Sequence, residues 1–400
     1  MRKSILFIDE DPGRAGSTVS LEYLVKGFSE RNYSVKVLTS KKDEKTKSRI
    51  KKYAQIFELK SDTLAVNFHF TNKLSPLSLS GLHSIWNDFT KFVKGLFIFA
   101  RYLKVIKPDL VYLNEYSVIQ ASIASYFMNI PSVVHIRSML INGLWGIRRF
   151  IISNLIFIFN KRIFAITDVE AKQLNPNIKQ VEKIYVVPEF FQLSESSDLA
   201  RKIRAFDLPG DKTIITMLGG ILDIKGSIVF LKAAIELSTK NLNVVFVLAG
   251  KNYVQGKEAL AYYNQCLDLI STLKKTNSLI HLGEIVNPLE LIEQSDIIVS
   301  ASTETHFSRP VIEAWGFGKP VVVAETEHAQ NLITDDEDGL LYPAFDHHAL
   351  ANNLIKLIKS KEIRDKFGNN GRCKVIEKFD AEKNIDVIIK QCDSLLLKYK

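Results

Sequence analysis

Cysteine is scarce in this chain: three residues in 400, Cys266, Cys373 and Cys392. Their spacing excludes a disulfide framework and a Cys-x-x-Cys zinc site, and such usage fits a reducing compartment. Long apolar runs are missing too. The longest, FIISNLIFIF (150–159), is broken by Ser153 and Asn154 and falls short of the roughly 18 to 20 residues of a spanning helix, so no transmembrane segment is expected. The start, MRKSILFIDEDPG, has only about four apolar residues before two acids, against about 7 to 15 in a signal peptide, and reads as a first strand. The turn at Gly13 does not supply the Gly-x-Gly-x-x-Gly and downstream acid of a dinucleotide-binding oxidoreductase, and the phosphate loop of the ATPases is absent. No recognition helix, zinc module or aromatic-basic module points to nucleic acid.

What is present is the composition of a folded globular chain, with 46% hydrophobic and 24% charged residues. Its length favours two domains. A net charge of +9 asks for an anionic partner: nucleic acid, a nucleotide-carrying substrate or an acidic membrane surface. Short apolar runs such as ILFI (5–8), LVYL (110–113), SVVHI (132–136), IITML (214–218), VVFVLA (244–249) and PVVVA (320–324) alternate with helical patterns such as SLEYLVKGFSERN (20–32) and IVFLKAAIELSTK (228–240). That alternation predicts an α/β architecture of doubly wound parallel sheets. The rhythm breaks after VVPEFF (186–191), giving domains at 1–190 and 191–375 with a C-terminal helix, 376–400, that packs back on the first. Two such sheets face a central cleft in this reading, with ligands beyond the carboxyl ends of their strands. The charged run KKDEKTKSRIKK (41–52) reads as a solvated loop.

Three strand-to-helix turns carry the candidate chemistry. In DEDPGRAGSTVS (9–20), Gly13 and Gly16 allow close backbone approach and Ser17 or Thr18 is a candidate cap; an anion site and a plain tight turn both fit. In MLGGILDIKGSIVFLKAA (217–234), Gly219 and Gly220 end a strand and Lys225 and Gly226 open a helix, placing a cation and main-chain N–H groups where a phosphate fits. A surface lysine is the plainer reading. In STETHFSRPVIEAWGFGKPVVVAE (302–325), Ser308 is the expected N-cap of a helix from Arg309 to about Trp315, ended by Gly316 or Gly318. Glu313 then lies one turn inside, either binding hydroxyls or favouring the helix dipole.

With these turns, NIPSVVHIRS (129–138), AITDVEAKQL (165–174), YVVPEF (185–190), GGILDIKG (219–226), VVFVLAGK (244–251), IHLGEIVNPLELIEQSDIIVSAS (280–302), RPVIEAWGFGKPVV (309–322) and EDGLLYPAFD (337–346), the chain resembles glycosyltransferase family 4, the retaining, nucleotide-sugar-dependent enzymes of the B-type fold with two Rossmann-like domains. The resemblance implies transfer from a nucleoside diphosphate sugar, UDP first and GDP next, to a saccharide or lipid-linked saccharide in cell-surface polysaccharide synthesis, without a metal or other cofactor. It implies that Glu313 holds the donor ribose, that Lys225 neutralises the diphosphate, and that Phe307, Ser308 and Arg309 meet the donor sugar. It likewise implies that Gly283, Glu284 and Ile285 receive the base, with Gly13, Gly16 and Ser17 approaching the diphosphate from the first domain.

The sequence departs from the family pattern at three places: Thr305 stands where the first acid is expected, beside Glu304; Gly220 replaces an arginine; and Arg137 falls at the usual histidine, with His135 two positions earlier. Arg137, Glu304 and Thr305 are the catalytic candidates. Retention without a protein nucleophile implies front-face attack, the leaving phosphate taking the acceptor proton. A structural salt bridge is the plainer role for Arg137 or Glu304. A sugar-nucleotide epimerase and a non-catalytic nucleotide-sugar scaffold stay open as alternatives. KFVKGLFIFARYLKVIK (91–107) and LWGIRRFIISNLIFIFNKR (144–162) are basic and amphipathic, so peripheral attachment to the cytoplasmic membrane face is expected of an otherwise cytoplasmic protein.

Overall fold

A computed structural model describes residues 2–9, 15–40, 44–59, 64, 79–140, 146–174, 178–193, 206–252, 254 and 256–399. The chain divides into two units, Met1–Phe190 with Ala381–Lys400, and Phe191–Asp380.

The first unit is built on a parallel sheet in the order β3-β2-β1-β4-β5-β6-β7. Its strands are β1 (Ser4–Asp9), β2 (Ser34–Ser40), β3 (Gln55–Leu59), β4 (Leu110–Leu113), β5 (Ser132–Ile136), β6 (Arg162–Ala165) and β7 (Ile184–Val186). Alternate residues of β1 supply opposite faces, as the two-residue period of a strand requires. Ile5 and Phe7 pack with Leu24, Phe28 and residues of the C-terminal helix Ala381–Lys398, whereas Leu6 and Ile8 pack with Phe99, Leu103 and Ile156. Both faces are covered, which is why LVYL is apolar throughout. The C-terminal helix is further fixed by Arg31, which meets Asp386 at 2.6 Å and Glu382 at 2.9 Å.

The second unit repeats the plan with β8 (Thr213–Leu218), β9 (Val244–Ala249), β10 (Leu279–Gly283), β11 (Ile297–Ser300), β12 (Val321–Glu325) and β13 (Leu340–Pro343), ordered β10-β9-β8-β11-β12-β13. In both sheets the order reverses beside the first strand, at β1/β4 and β8/β11. There successive crossovers leave on opposite sides and open a crevice at the strands' carboxyl ends.

Residues 376–380 do not join the C-terminal helix as expected. Val375 and Phe379 are buried with Trp315 in the second unit, and Phe191 N–H donates to the Phe379 carbonyl at 2.8 Å. The helix Ala15–Glu30 begins early enough that Gly16, Ser17 and Thr18 lie in its first turn instead of preceding it, so neither hydroxyl residue is its cap. Gly13 lies outside the described residues.

Candidate functional site

At the β8/β11 reversal of the second unit the chain makes two close turns. After β8, Gly219 and Gly220 adopt positive φ, 127° and 69°. A side chain on Gly220 would run into the Lys251 carbonyl. The N–H groups of both glycines donate to the Ala249 carbonyl, at 2.9 and 3.0 Å. Those of Lys225 and Gly226 go to Leu222 and Asp223. The expected free amides are therefore consumed by the turn itself, and attraction for an anion here rests on the Lys225 side chain. Gly226, at φ 68°, leads into the helix Ser227–Ser238 with its Cα against the Ala301 carbonyl.

The loop after β11 folds over this turn, with Thr303 N–H donating to the Ile224 carbonyl at 3.1 Å. It brings His306 Nε2 to 2.7 Å from Lys225 Nζ, across 81 positions of sequence. His306 Nδ1 lies 3.1 Å from the Glu304 carbonyl, which only accepts, so the ring proton sits on Nδ1 and Nε2 receives the ammonium. Burial and the Lys225 charge push His306 down to about 4, keeping it neutral near pH 7. Burial pushes Lys225 down to about 8, with the Glu304 charge opposing. Among the described residues no carboxylate is in ion-pair contact with Lys225. A largely buried ammonium held by one neutral imidazole has strong unused attraction for an anion.

The helix Arg309–Gly316 follows. Ser308 occupies its N-cap position, but its hydroxyl does not cap; it bonds Ser300 Oγ at 2.8 Å. Among the described residues the N–H groups of Phe307 and Ser308 find no acceptor. One turn in, Glu313 receives Arg309 Nε at 2.8 Å, and these residues are 7% and 9% exposed. The helix is closed by Gly318 at φ 67°, with Gly318 and Lys319 N–H donating to Trp315 and Ala314 carbonyls, each at 2.9 Å, a left-handed C-terminal cap. Glu304 is exposed and Thr305 half-buried. Phe307 packs near Phe379, ring centroids 6.1 Å apart. Gly283 closes β10 with φ 65°, its carbonyl accepting Gly250 N–H at 2.7 Å; Glu284 is exposed and Ile285 half-buried. Gly219, Gly220, Lys225 and Glu304 to Arg309 thus meet at one strand reversal.

At the β1/β4 reversal of the first unit lies a second polar cluster. Asn114 Nδ2 donates to Asp9 at 2.9 Å and to the Ser17 carbonyl at 3.2 Å, and Asn114 Oδ1 accepts Arg137 Nε at 3.2 Å. Arg137 pairs with Glu189, which also accepts Ser20 Oγ at 2.5 Å; the paired side chains are 5% and 7% exposed. Arg137 Nη2 also lies 3.1 Å from His135 Nδ1, so His135 is protonated on Nε2, and burial beside Arg137 holds its pKa well below the usual range. The plainer reading of Arg137, a structural salt bridge, matches this geometry. Glu115, which caps the short helical turn Tyr116–Val118 after β4, is pushed by burial up to about 8 despite hydrogen bonds from Tyr116 N–H at 2.8 Å and Ser138 Oγ at 2.9 Å. Sequence reasoning missed His306, Glu189 and Glu115 as site residues, although STETHFSRPVIEAWGFGKPVVVAE contains His306 and YVVPEF contains Glu189.

Among the described residues, the group with the spacing of metal ligands, Glu236, His347 and His348, lies elsewhere, on the helices Ser227–Ser238 and His347–Lys359.

Comparison with known proteins agrees with the fold. Residues 200–374 match the family model described as glycosyl transferases group 1. The chain is 22% identical over 279 residues to the capsular polysaccharide biosynthesis glycosyltransferase CapM of Staphylococcus aureus, covering 65% of this chain and 70% of that one. It is 26% identical over 214 residues to the UDP-Gal:alpha-D-GlcNAc-diphosphoundecaprenol alpha-1,3-galactosyltransferase of Escherichia coli, an alignment covering 52% of this chain and 53% of the relative. The crystal structure of Anabaena HepE in complex with UDP and glucose superposes with a TM-score of 0.75 at 19% identity, covering 98% of this chain and all of that one. Two Rossmann-like domains in one chain make this the B-type glycosyltransferase fold, and its second unit carries the match to the glycosyl transferases group 1 family.

Proposed function

We propose that the protein moves a sugar from a nucleoside diphosphate donor, a UDP-sugar before a GDP-sugar, to a saccharide or lipid-linked saccharide with retention at the anomeric carbon, in cell-surface polysaccharide synthesis. The observation that carries this reading is Lys225: a largely buried cation at the strand reversal, held by neutral His306 with no carboxylate in ion-pair contact among the described residues. The relatives named for a capsular polysaccharide and a diphosphoundecaprenol acceptor, and the neighbour bound to UDP, support the substrate classes.

In this reaction the bond from the anomeric carbon to the β-phosphate oxygen breaks, the acceptor oxygen bonds the same face of that carbon, and the acceptor proton passes to the departing phosphate. Lys225 meets the charge that grows on the diphosphate, where a preorganised cation in a poorly solvated site is most effective. Phe307 and Ser308 N–H groups face the donor sugar, and Glu313 binds the ribose. Lys225 supplies the cation, so activity is expected to survive chelation by EDTA.

Calorimetric titration with UDP, GDP and uridine tests the donor site. UDP affinity should fall as pH rises above about 8, where Lys225 loses its proton, while uridine affinity should not. Parallel losses for both ligands would remove the diphosphate from Lys225.

A further inference from the structure

Two helices of the first unit hold a band of apolar side chains in solvent. In Leu79–Ile106, Phe99 and Leu103 are buried in the core with Leu6 and Ile8 of β1, and Gly95 is buried against Gln120. On the opposite side Leu82, Trp86, Phe89, Val93 and Phe97 recur every three or four residues, a single stripe on a helix. Trp86 is 65% and Phe97 75% exposed. In Ile147–Phe159, Ile152 and Ile156 enter the same core as Phe99, while Ile147, Phe150, Ile151 and Ile158 are exposed. Arg148 Nη2 lies 3.4 Å from Asp88, an ion pair between the two helices.

The charge around this band has one sign. The two helices contain Lys91, Lys94, Arg101, Lys104, Arg148 and Arg149 against a single acid, Asp88, which Arg148 engages. A second copy of the chain docking face to face would bring those cations against one another. An anionic lipid surface satisfies both features: phosphates for the cations and an interfacial layer for Trp and Phe. Helix Leu79–Ile106 is about 42 Å long, and no helix among the described residues is long and apolar enough to cross a membrane, so the helix would lie along the surface.

We propose that this face docks the first unit onto anionic lipid, with Trp86, Phe89 and Phe97 entering the interface and Lys94, Arg101 and Lys104 meeting lipid phosphates. The inference stands independently of the donor site. Flotation of the full chain tests it, with vesicles of phosphatidylcholine containing about a third phosphatidylglycerol beside vesicles of phosphatidylcholine alone. Binding is expected to the anionic vesicles at low salt and to weaken at high salt. Trp86→Ser with Phe97→Ser should lower the partition coefficient at least about tenfold with an unchanged circular dichroism melt. Lys94→Glu with Arg101→Glu should remove the preference for anionic vesicles. Absence of flotation at low salt, or equal flotation of the wild type and the apolar variant, overturns the proposal. So does a dimer, in sedimentation without lipid, that the apolar variant dissociates while neither protein binds vesicles; that outcome assigns the face to a second copy.

Discussion

Replacing Lys225 by Met should make the ligand-free protein more stable and its hold on a diphosphate weaker. Burial has moved this lysine from 10.5 to about 8, so keeping it charged at pH 7 costs the folded state about 3 kcal/mol. Methionine of similar length removes that cost and also the hydrogen bond to His306, which contributes about 1 kcal/mol. A net gain of about 2 kcal/mol is expected at pH 7. The sign reverses the familiar salt-bridge case. Between about pH 8 and 10.5 the unfolded chain holds the proton that the folded chain has released, so wild-type stability rises with pH through this window. The advantage of Lys225→Met should therefore shrink from pH 7 to pH 10. Urea unfolding reports this when Trp86 and Trp145 are changed to Phe, leaving Trp315, buried in the second unit with the site, as the probe. The same substitution should weaken UDP binding by about 10- to 100-fold, the worth of a charge-assisted hydrogen bond. Loss of stability at pH 7, or a difference that does not change with pH, would refute the electrostatic account of Lys225.

Other perturbations separate the remaining roles. Glu313→Gln should weaken uridine and UDP alike, by at least about tenfold, and unchanged affinity in calorimetry would sink its ribose role; Arg309 then stays buried without its carboxylate, so a modest stability loss is expected alongside. Gly226→Ala should cost at least about 2 kcal/mol in urea unfolding, because φ is 68° and the new methyl overlaps the Ala301 carbonyl; an unaltered midpoint would contradict that close approach. Arg137→Met should destabilise by about 3 to 5 kcal/mol by leaving Glu189 buried without its guanidinium, and Arg137→Met with Glu189→Gln should recover most of the loss. A single variant that keeps full stability but loses turnover would instead place Arg137 in the chemistry.

The central strands were legible because both their faces are covered, so LVYL and VVFVLA are unbroken apolar runs. Three strands escaped the sequence reading: Gln55–Leu59, Leu279–Gly283 and Leu340–Pro343. All three are sheet edges, partly exposed, and Gln55, Glu58 and His281 interrupt their apolar pattern. Lys225 was legible as a cation between glycines, but its partner was not. His306 lies in a loop without periodicity, and only the fold of the chain over the β8 turn brings it there. The glycine amides misled for a related reason: sequence shows that Gly219 and Gly220 permit a close turn, not that their N–H groups are spent on Ala249. Ser308 has the composition of a cap, yet β11 offers Ser300 as a nearer partner.

The central claim, glycosyl transfer from a nucleoside diphosphate sugar, is tested most directly by incubating the protein with a panel of UDP- and GDP-sugars and lipid-linked saccharides. The products and their anomeric configuration are then read by mass spectrometry and NMR. The account predicts one donor whose sugar appears on the acceptor with its configuration retained, with turnover lost in Lys225→Met. Donor binding without any product, or an epimerised donor with no transfer, would contradict it.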